Sequence, residues 1–351
     1  MIQGEPYWGS PTSVGPIRLF PTAAEVGNGY LSGQLVVRFN HGSPVLPPGN
    51  RPYESSPNHY IEMYAGEEVA ALLSVALGVR LRDGGLIRRF QHGKDPAGEP
   101  ELHNHRAPTS IPVPDRRIQF PGLRGKEVKL AHGVKWLLLY PKLQPAEAIA
   151  LAKAARCYAD ALWVGDNDPQ QAWLHLVTAL ETLAVHMQTD ALNPMEVLQD
   201  AYPKLVELIT GREVSDILPA VANVLVETAK ATRRFLDFTC HYAPPPPSER
   251  PDNEGVRLDW DSLRRALAFV YEHRSNYLHA GRPMPPGMIG VDLELGDDGR
   301  PPECIERDTE IMAGRSAWKA KQVPMHLWVL AYITRGALLN WWQERVELSG
   351  M

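Results

Sequence analysis

Cysteine is scarce in this chain. Only Cys157, Cys240 and Cys304 occur among 351 residues. They are odd in number, far apart and without the spacing of a metal knuckle, which excludes a disulfide-stapled scaffold and fits a reducing cytoplasm. No apolar run approaches the roughly 20 residues needed to cross a bilayer, so no membrane partner is expected. The opening Met1-Ile2-Gln3-Gly4-Glu5-Pro6 has neither a basic start nor an apolar stretch, so no export signal is read there. A large excess of one charge is also missing. Lys and Arg number 36 against 41 Asp and Glu, a net charge of −5, which argues against nucleic-acid binding over the whole surface. Gly27-Asn28-Gly29-Tyr30 lacks both the spacing of a dinucleotide fingerprint and a convincing strand before it, because Pro21 to Val26 reads poorly as a strand. It reads as a turn, and no cofactor is expected. Repeats of roughly 20–50 residues are absent, which excludes solenoids and propellers.

Proline, in contrast, is abundant at 32 residues, gathered at 1–60, 96–121 and 243–251, where it marks loops and element boundaries. The length predicts two domains. Residues 1–141 read as a mixed α/β domain of unknown sensing or recognition role, and 146–351 as a mainly helical domain, so the class is α+β. In the first, Leu31–Phe39 is the clearest strand. Residues 58–82 repeat Ile61, Tyr64, Val69, Leu72, Leu73 and Leu77 at helical steps, passing into a strand between Ala76 and Leu81. The apolar run Val134–Tyr140 reads as a buried strand, and Pro141 to Pro145 as a linker. Helices are then predicted over Ala146–Leu162, over 169–187 behind the Asp166-Asn167-Asp168-Pro169 start signal, over Pro194–Ile209 and Ile217–Tyr242, and over 324–346. Ile289–Leu295 alternates like a strand, and the turn Asp297-Asp298-Gly299 would pair it with Cys304–Glu306.

Two local features invite a chemical reading. Residues 79–135 hold twelve Arg and Lys against six Asp and Glu, enough to hold a phosphate backbone by Coulomb attraction and counterion release. No aromatics interleave with these charges, so a solvated loop surface explains them equally. His92, His103, His105 and His132 fall in the same stretch. A metal-dependent hydrolase built on them is one alternative, but no carboxylate or cysteine stands at a confirming spacing.

The second feature is Tyr271-Glu272-His273-Arg274-Ser275-Asn276-Tyr277-Leu278-His279-Ala280-Gly281. Leu258, Leu263, Ala266, Leu267, Val270, Tyr271 and Leu278 form one apolar helical stripe. Asp259 or Asp261 can cap its start, and Gly281 with Pro283 can end it. Arg274 and His279 lie five positions apart, roughly 140° around a straight helix, and both can border a cleft at its terminus. An RNA strand is cut without metal when its 2′-hydroxyl attacks the neighbouring phosphate. That reaction needs a proton carrier, the role of histidine, and a fixed cation for the growing phosphoryl charge, the role of arginine. Ser275 or Asn276 could orient the phosphate or the imidazole. The plain alternatives are that Arg274 pairs with Glu272, Asp261 or Glu181, and that His279 is a helix-end cation favoured by the macrodipole. His273, next to Arg274, points elsewhere and reads as surface.

Arg-x4-His followed by Ala-Gly at a helix end, with Ser275 after the arginine, resembles the signature of the HEPN superfamily, in particular the Apea-like HEPN group. The helix around Trp173-Leu174-His175-Leu176-Val177-Thr178-Ala179-Leu180-Glu181-Thr182-Leu183 resembles the group's other marked helix. The likeness covers about 160–340. It implies a helical bundle and a metal-independent endoribonuclease that acts as a homodimer, with Arg274 and His279 of both copies in one composite site and Glu181 bracing Arg274 through a two-point pair. RNA is then the substrate, the context a toxin or phage-defence effector, and an antitoxin or defence-system protein a partner. The alternative within the resemblance is a dimerising module that binds RNA or nucleotide without cutting it.

Overall fold

The computed structural model describes residues 2–4, 7–8, 12–14, 17–26, 30–39, 63–85, 118–123, 128–187, 194–201, 203–210, 217–289, 293–307, 309–313 and 316–349. The fold is mixed and mainly helical, with small sheets ahead of a helical bundle. Strands β1 (Ile2–Gly4), β2 (Tyr7–Trp8), β3 (Thr12–Val14), β4 (Ile17–Val26) and β5 (Tyr30–Phe39) open the chain. The long pair β4–β5 runs antiparallel from Ile17 opposite Phe39 to Val26 opposite Tyr30. The predicted strand at 31–39 is therefore present, but Pro21 to Val26, read as a poor strand, belongs to β4. Strand β3 pairs only with Ile17 to Leu19.

Helix α1 (Ala65–Leu77) ends at Gly78 in the left-handed conformation, φ 65°, and the chain turns into β6 (Leu81–Asp83). That strand completes a five-stranded antiparallel sheet ordered β3-β4-β5-β1-β6. After it, β7 (Val128–Lys129) pairs parallel with β2 and leads straight into α2 (Leu130–Leu139).

Helix α2 corrects the strand expected at Val134–Tyr140. Leu130, Gly133, Val134 and Leu137 are buried, at helical rather than alternating steps. A short apolar run has no period that separates a buried strand from a buried helix. Gly133 permits the close approach to α1, since a Cβ there would lie 2.8 Å from a methyl of Leu73. Nor is 141–145 an open linker. A 3-10 turn at Tyr140–Lys142 leads directly to α3 (Pro145–Val164), and the Tyr140 hydroxyl donates to Glu68 at 2.6 Å.

The bundle continues through α4 (Pro169–Ala184), α5 (Pro194–Ala201), α6 (Pro203–Thr210), α7 (Leu218–Tyr242), α8 (Leu263–Ala280) and the short α9 (Pro286–Ile289). Ile289 thus closes a helix, Leu293–Gly296 is in no strand, and 290–292 lie outside the described residues. The turn after it does form, with Gly299 at φ 73° and the Gly296 amide donating to the Arg300 carbonyl. The expected partner segment goes elsewhere: Glu303 and Cys304 donate to the Val256 carbonyl, and Arg307 to that of Gly255. A hairpin that the sequence pattern did not announce follows, β8 (Glu310–Ala313) with β9 (Ser316–Lys319), before α10 (Leu327–Ser349).

One hydrophobic cluster runs from Leu19 and Leu35 through α1, α3 and α4 to α10, drawing on both sides of residues 141–146. Trp173, Trp341 and Trp342 are fully buried in it, and Trp136 of α2 meets Trp342 with ring centroids 5.2 Å apart. Arg335 of α10 donates to the Val75 and Ala76 carbonyls at 2.7 and 2.8 Å, satisfying the open end of α1. Among the described residues no helix is long and apolar enough to cross a membrane.

Candidate active site

Helix α8 starts after a 3-10 turn, Trp260–Ser262, that Asp259 caps by accepting the Asp261 amide at 3.2 Å. It stops where Gly281 turns left-handed at φ 60°. There the Gly281 amide donates to the Tyr277 carbonyl and the Arg282 amide to that of Asn276, the pattern that satisfies a helix's last carbonyls. Leu263, Ala266, Leu267, Val270 and Tyr271 are its buried stripe. Leu278, expected in that stripe, is instead 51% exposed, because the helix has run past the edge of the core.

Helix α4 supplies the other wall. Asp168 caps it by accepting the Gln171 amide at 3.0 Å, with Pro169 at the first turn. From it Glu181 reaches α8. Arg274 Nη2 donates to Glu181 Oε2 at 2.8 Å, and the Tyr271 hydroxyl donates to Glu181 Oε1 at 2.9 Å. The carboxylate is therefore shared between two donors, and Arg274 engages one oxygen rather than both as expected. Of the three acids considered for Arg274, Glu181 is the one it meets. The guanidinium carbon also lies 5.6 Å from the Tyr271 ring centroid, within cation–π range. The pair is part open: the side chains of Arg274 and Glu181 keep 20% and 24% of their surface in solvent.

Tyr271 was not singled out for a role by sequence reasoning, although its position three residues before Arg274 puts it on the same face of the helix. Its phenol is pushed up to about 12 by burial first and by the Glu181 carboxylate second, so it remains a donor at neutral pH. Phe235 of α7 backs the ring at 4.9 Å.

His279 lies exposed in the last turn of α8, with no side-chain partner among the described residues. Five residues carry it roughly 7.5 Å further along the axis than Arg274 and about 140° around it. Ser275 and Asn276 are half-buried between them, their side chains outside the Glu181 contact. Of the five residues named from sequence, the structure thus brings Arg274 and Glu181 together and leaves His279, Ser275 and Asn276 apart from that pair within one chain. His273 is not simply surface: its Nε2 lies 2.7 Å from the Gln322 carbonyl, tying α8 to the 3-10 turn Ala320–Gln322.

No group of three or more His, Cys, Asp or Glu among the described residues is arranged to hold a metal. His92, His103 and His105, most of the basic stretch at 79–135, and the Gly27 to Gly29 turn lie outside the described residues, while His132 stands exposed on α2. Comparison with known proteins finds no matching family model, no matching curated protein and no matching solved structure. The HEPN resemblance therefore rests on the residues of α4 and α8 alone.

Proposed function

We propose that the protein is a metal-independent endoribonuclease of HEPN type, working as a homodimer in which the α8 ends of two copies form one cleft. The observation that supports this reading most is the contrast along the last two turns of α8. Arg274 is held by Glu181 and lies over the Tyr271 ring yet stays part open, and His279 is exposed. A fixed guanidinium with a free edge suits the charge that grows on phosphoryl oxygens, since it needs no reorganisation when the charge appears. An exposed imidazole suits proton transfer. Because the two groups diverge within one chain, Arg274 of one copy and His279 of the other would meet the same phosphate. Leu278, exposed beside His279, offers apolar surface for the contact between copies.

In the reaction the 2′-oxygen attacks the adjacent phosphorus while one His279 takes its proton. The bond from phosphorus to the 5′-oxygen breaks, and the second copy's imidazole protonates that oxygen. The products are a 2′,3′-cyclic phosphate and a free 5′-hydroxyl. The test is cleavage of single-stranded RNA by purified protein in EDTA, with end-group analysis. Activity that survives EDTA and vanishes in both Arg274→Ala and His279→Ala supports the proposal, whereas equal cleavage by the variants overturns it.

One observation favours a second reading, a dimerising module that binds RNA or nucleotide without cutting it: the Arg274–Glu181 pair faces into the bundle and braces α4 against α8. In that case both variants bind RNA like the parent and no protein cleaves. The setting as a toxin or defence effector, with an antitoxin or defence partner, belongs to the proposal and follows only from the resemblance.

A further inference from the structure

A cavity that does not include Arg274 lies against the first half of α8. It is an open groove of about 620 Å³, lined by that helix, the loop at Arg257, the strip from Cys304 to Arg307, the outer ends of β8 and β9, and the turn at Ala320. Among the described residues five cations line it, Arg257, Arg265, Arg307, Lys319 and Lys321, against two carboxylates, Asp259 and Glu310. Arg257 is spent, its Nε donating to the Pro251 carbonyl at 2.6 Å and its Nη1 lying 3.7 Å from the Glu254 carboxylate. Arg265, Lys319 and Lys321 are exposed and form no ion pair among the described residues. Between these charges the wall is apolar, with Phe269 its aromatic member.

A loop region that merely needed solubility would spread its charges outward. Here they converge on a concavity within the roughly 300–1,000 Å³ of small-molecule sites. With Arg257 set against Glu254, the lining residues still carry an excess of two positive charges to meet a phosphate chain. Phe269 adds a face on which a base can stack. Cys304 brings no reactivity, since burial first and Glu303 second push its thiol up to about 11, which leaves the site suited to binding rather than covalent chemistry.

We propose that this pocket binds a free nucleotide carrying two or more phosphates, its phosphate chain on Arg265, Arg307, Lys319 and Lys321 and its base on Phe269. An RNA strand shared with Arg274 fits less well. Nine residues separate Arg265 from Arg274, roughly 180° around α8 and 13 Å along it, so the two arginines serve opposite sides of the helix. The inference does not depend on the ribonuclease reading.

The experiment is isothermal titration of the full chain at low salt with ADP, GDP, CDP and UDP, with inorganic pyrophosphate as the bare anion and a short single-stranded RNA as competitor. The expected result is one nucleotide per chain in the micromolar range. Arg265→Glu with Lys321→Glu, both at exposed positions, should weaken it at least about tenfold, given the loss of charge-assisted contacts. Phe269→Leu should weaken the nucleotides about tenfold, in line with base stacking, and leave pyrophosphate unchanged. Arg274→Ala should bind nucleotide like the parent. The proposal is overturned if no nucleotide binds at about 1 mM, or if the double variant binds like the parent with an unaltered melting temperature. It is equally overturned if pyrophosphate binds as tightly as any nucleotide, or if the RNA occupies the pocket and no nucleotide displaces it.

Discussion

Two arginine–glutamate pairs in this molecule look alike in sequence and differ in what surrounds them. Arg250 gives Glu303 two bonds, from Nε at 2.7 Å and Nη2 at 2.5 Å, and the Leu258 amide donates to the same carboxylate at 2.7 Å. The Glu303 side chain has no exposed surface. The carboxylate has nothing left over, although the Arg250 side chain keeps 24% of its surface in solvent, and the pair pins the segment before α8 to the strip that follows the Gly299 turn. Arg274 gives Glu181 a single bond, Tyr271 takes the other oxygen, and a fifth of the guanidinium side chain stays in solvent. A buried carboxylate that engages its arginine twice holds a fold together, whereas a part-exposed one that gives its arginine a single bond leaves more of that guanidinium to a ligand. The difference marks Arg274, not Arg250, as the arginine to test for chemistry.

That contrast breaks or sharpens under four measurements. Arg274→Ala should lower RNA cleavage on the order of 10³-fold, the loss expected for a donor to developing charge, while its unfolding free energy moves by about 1 kcal/mol or less, because the pair is partly exposed. A variant that unfolds easily but cuts normally would reverse the assignment. Glu303→Ala should do the opposite. Urea unfolding should show a loss of about 4 kcal/mol, since it strands a guanidinium and the Leu258 amide, and cleavage per folded molecule should be unchanged.

The third measurement concerns His326, buried beside the saturated pair, whose amide donates to the Glu303 carbonyl at 2.8 Å. Burial holds its imidazole down to about 4. The unfolded chain takes up that proton near pH 6.5, its ordinary value, while the folded chain resists it. Stability is therefore complete above about 6.5 and falls as pH drops toward 4, by on the order of 3 kcal/mol. Urea midpoints across that range should slope less in His326→Asn, and equal slopes would show that the site is wet. The smallest effect belongs to Tyr271→Phe. It should cost about 1 kcal/mol of stability and loosen Arg274, visible as a modest fall in cleavage with unchanged RNA affinity.

Sequence reasoning reached the two halves of the molecule unequally. Helices α3, α4, α7, α8 and α10 are long and periodic, and Pro145, Asp168 and Gly281 punctuate three of them, so their places were legible. The approach of Glu181 to Arg274 could be named from the family resemblance, while charge alone left Glu272 and Asp261 as equal candidates. The strip at Cys304 was misplaced because a single buried carboxylate, Glu303, outweighs its alternation and draws it to Gly255 and Val256. The nucleotide-sized pocket was invisible in sequence for a related reason: Arg257, Arg265, Arg307, Lys319 and Lys321 gather only after the β8–β9 hairpin folds back on α8. Helix α2 was missed because the seven-residue run Val134–Tyr140 carries no period long enough to choose between strand and helix.

The clasp of Arg335 over the end of α1 ties together segments made early and late in synthesis, with some 260 residues between the bonded groups. A chain still emerging from the ribosome has α1 in hand long before α10 exists. Until then the last carbonyls of α1 must rely on water, and the buried seat of Trp342 against Trp136 stays empty. The sheet and helix α1 are thus completed by α10, and a deletion of α10 would be felt first at α1, some 260 residues away in sequence.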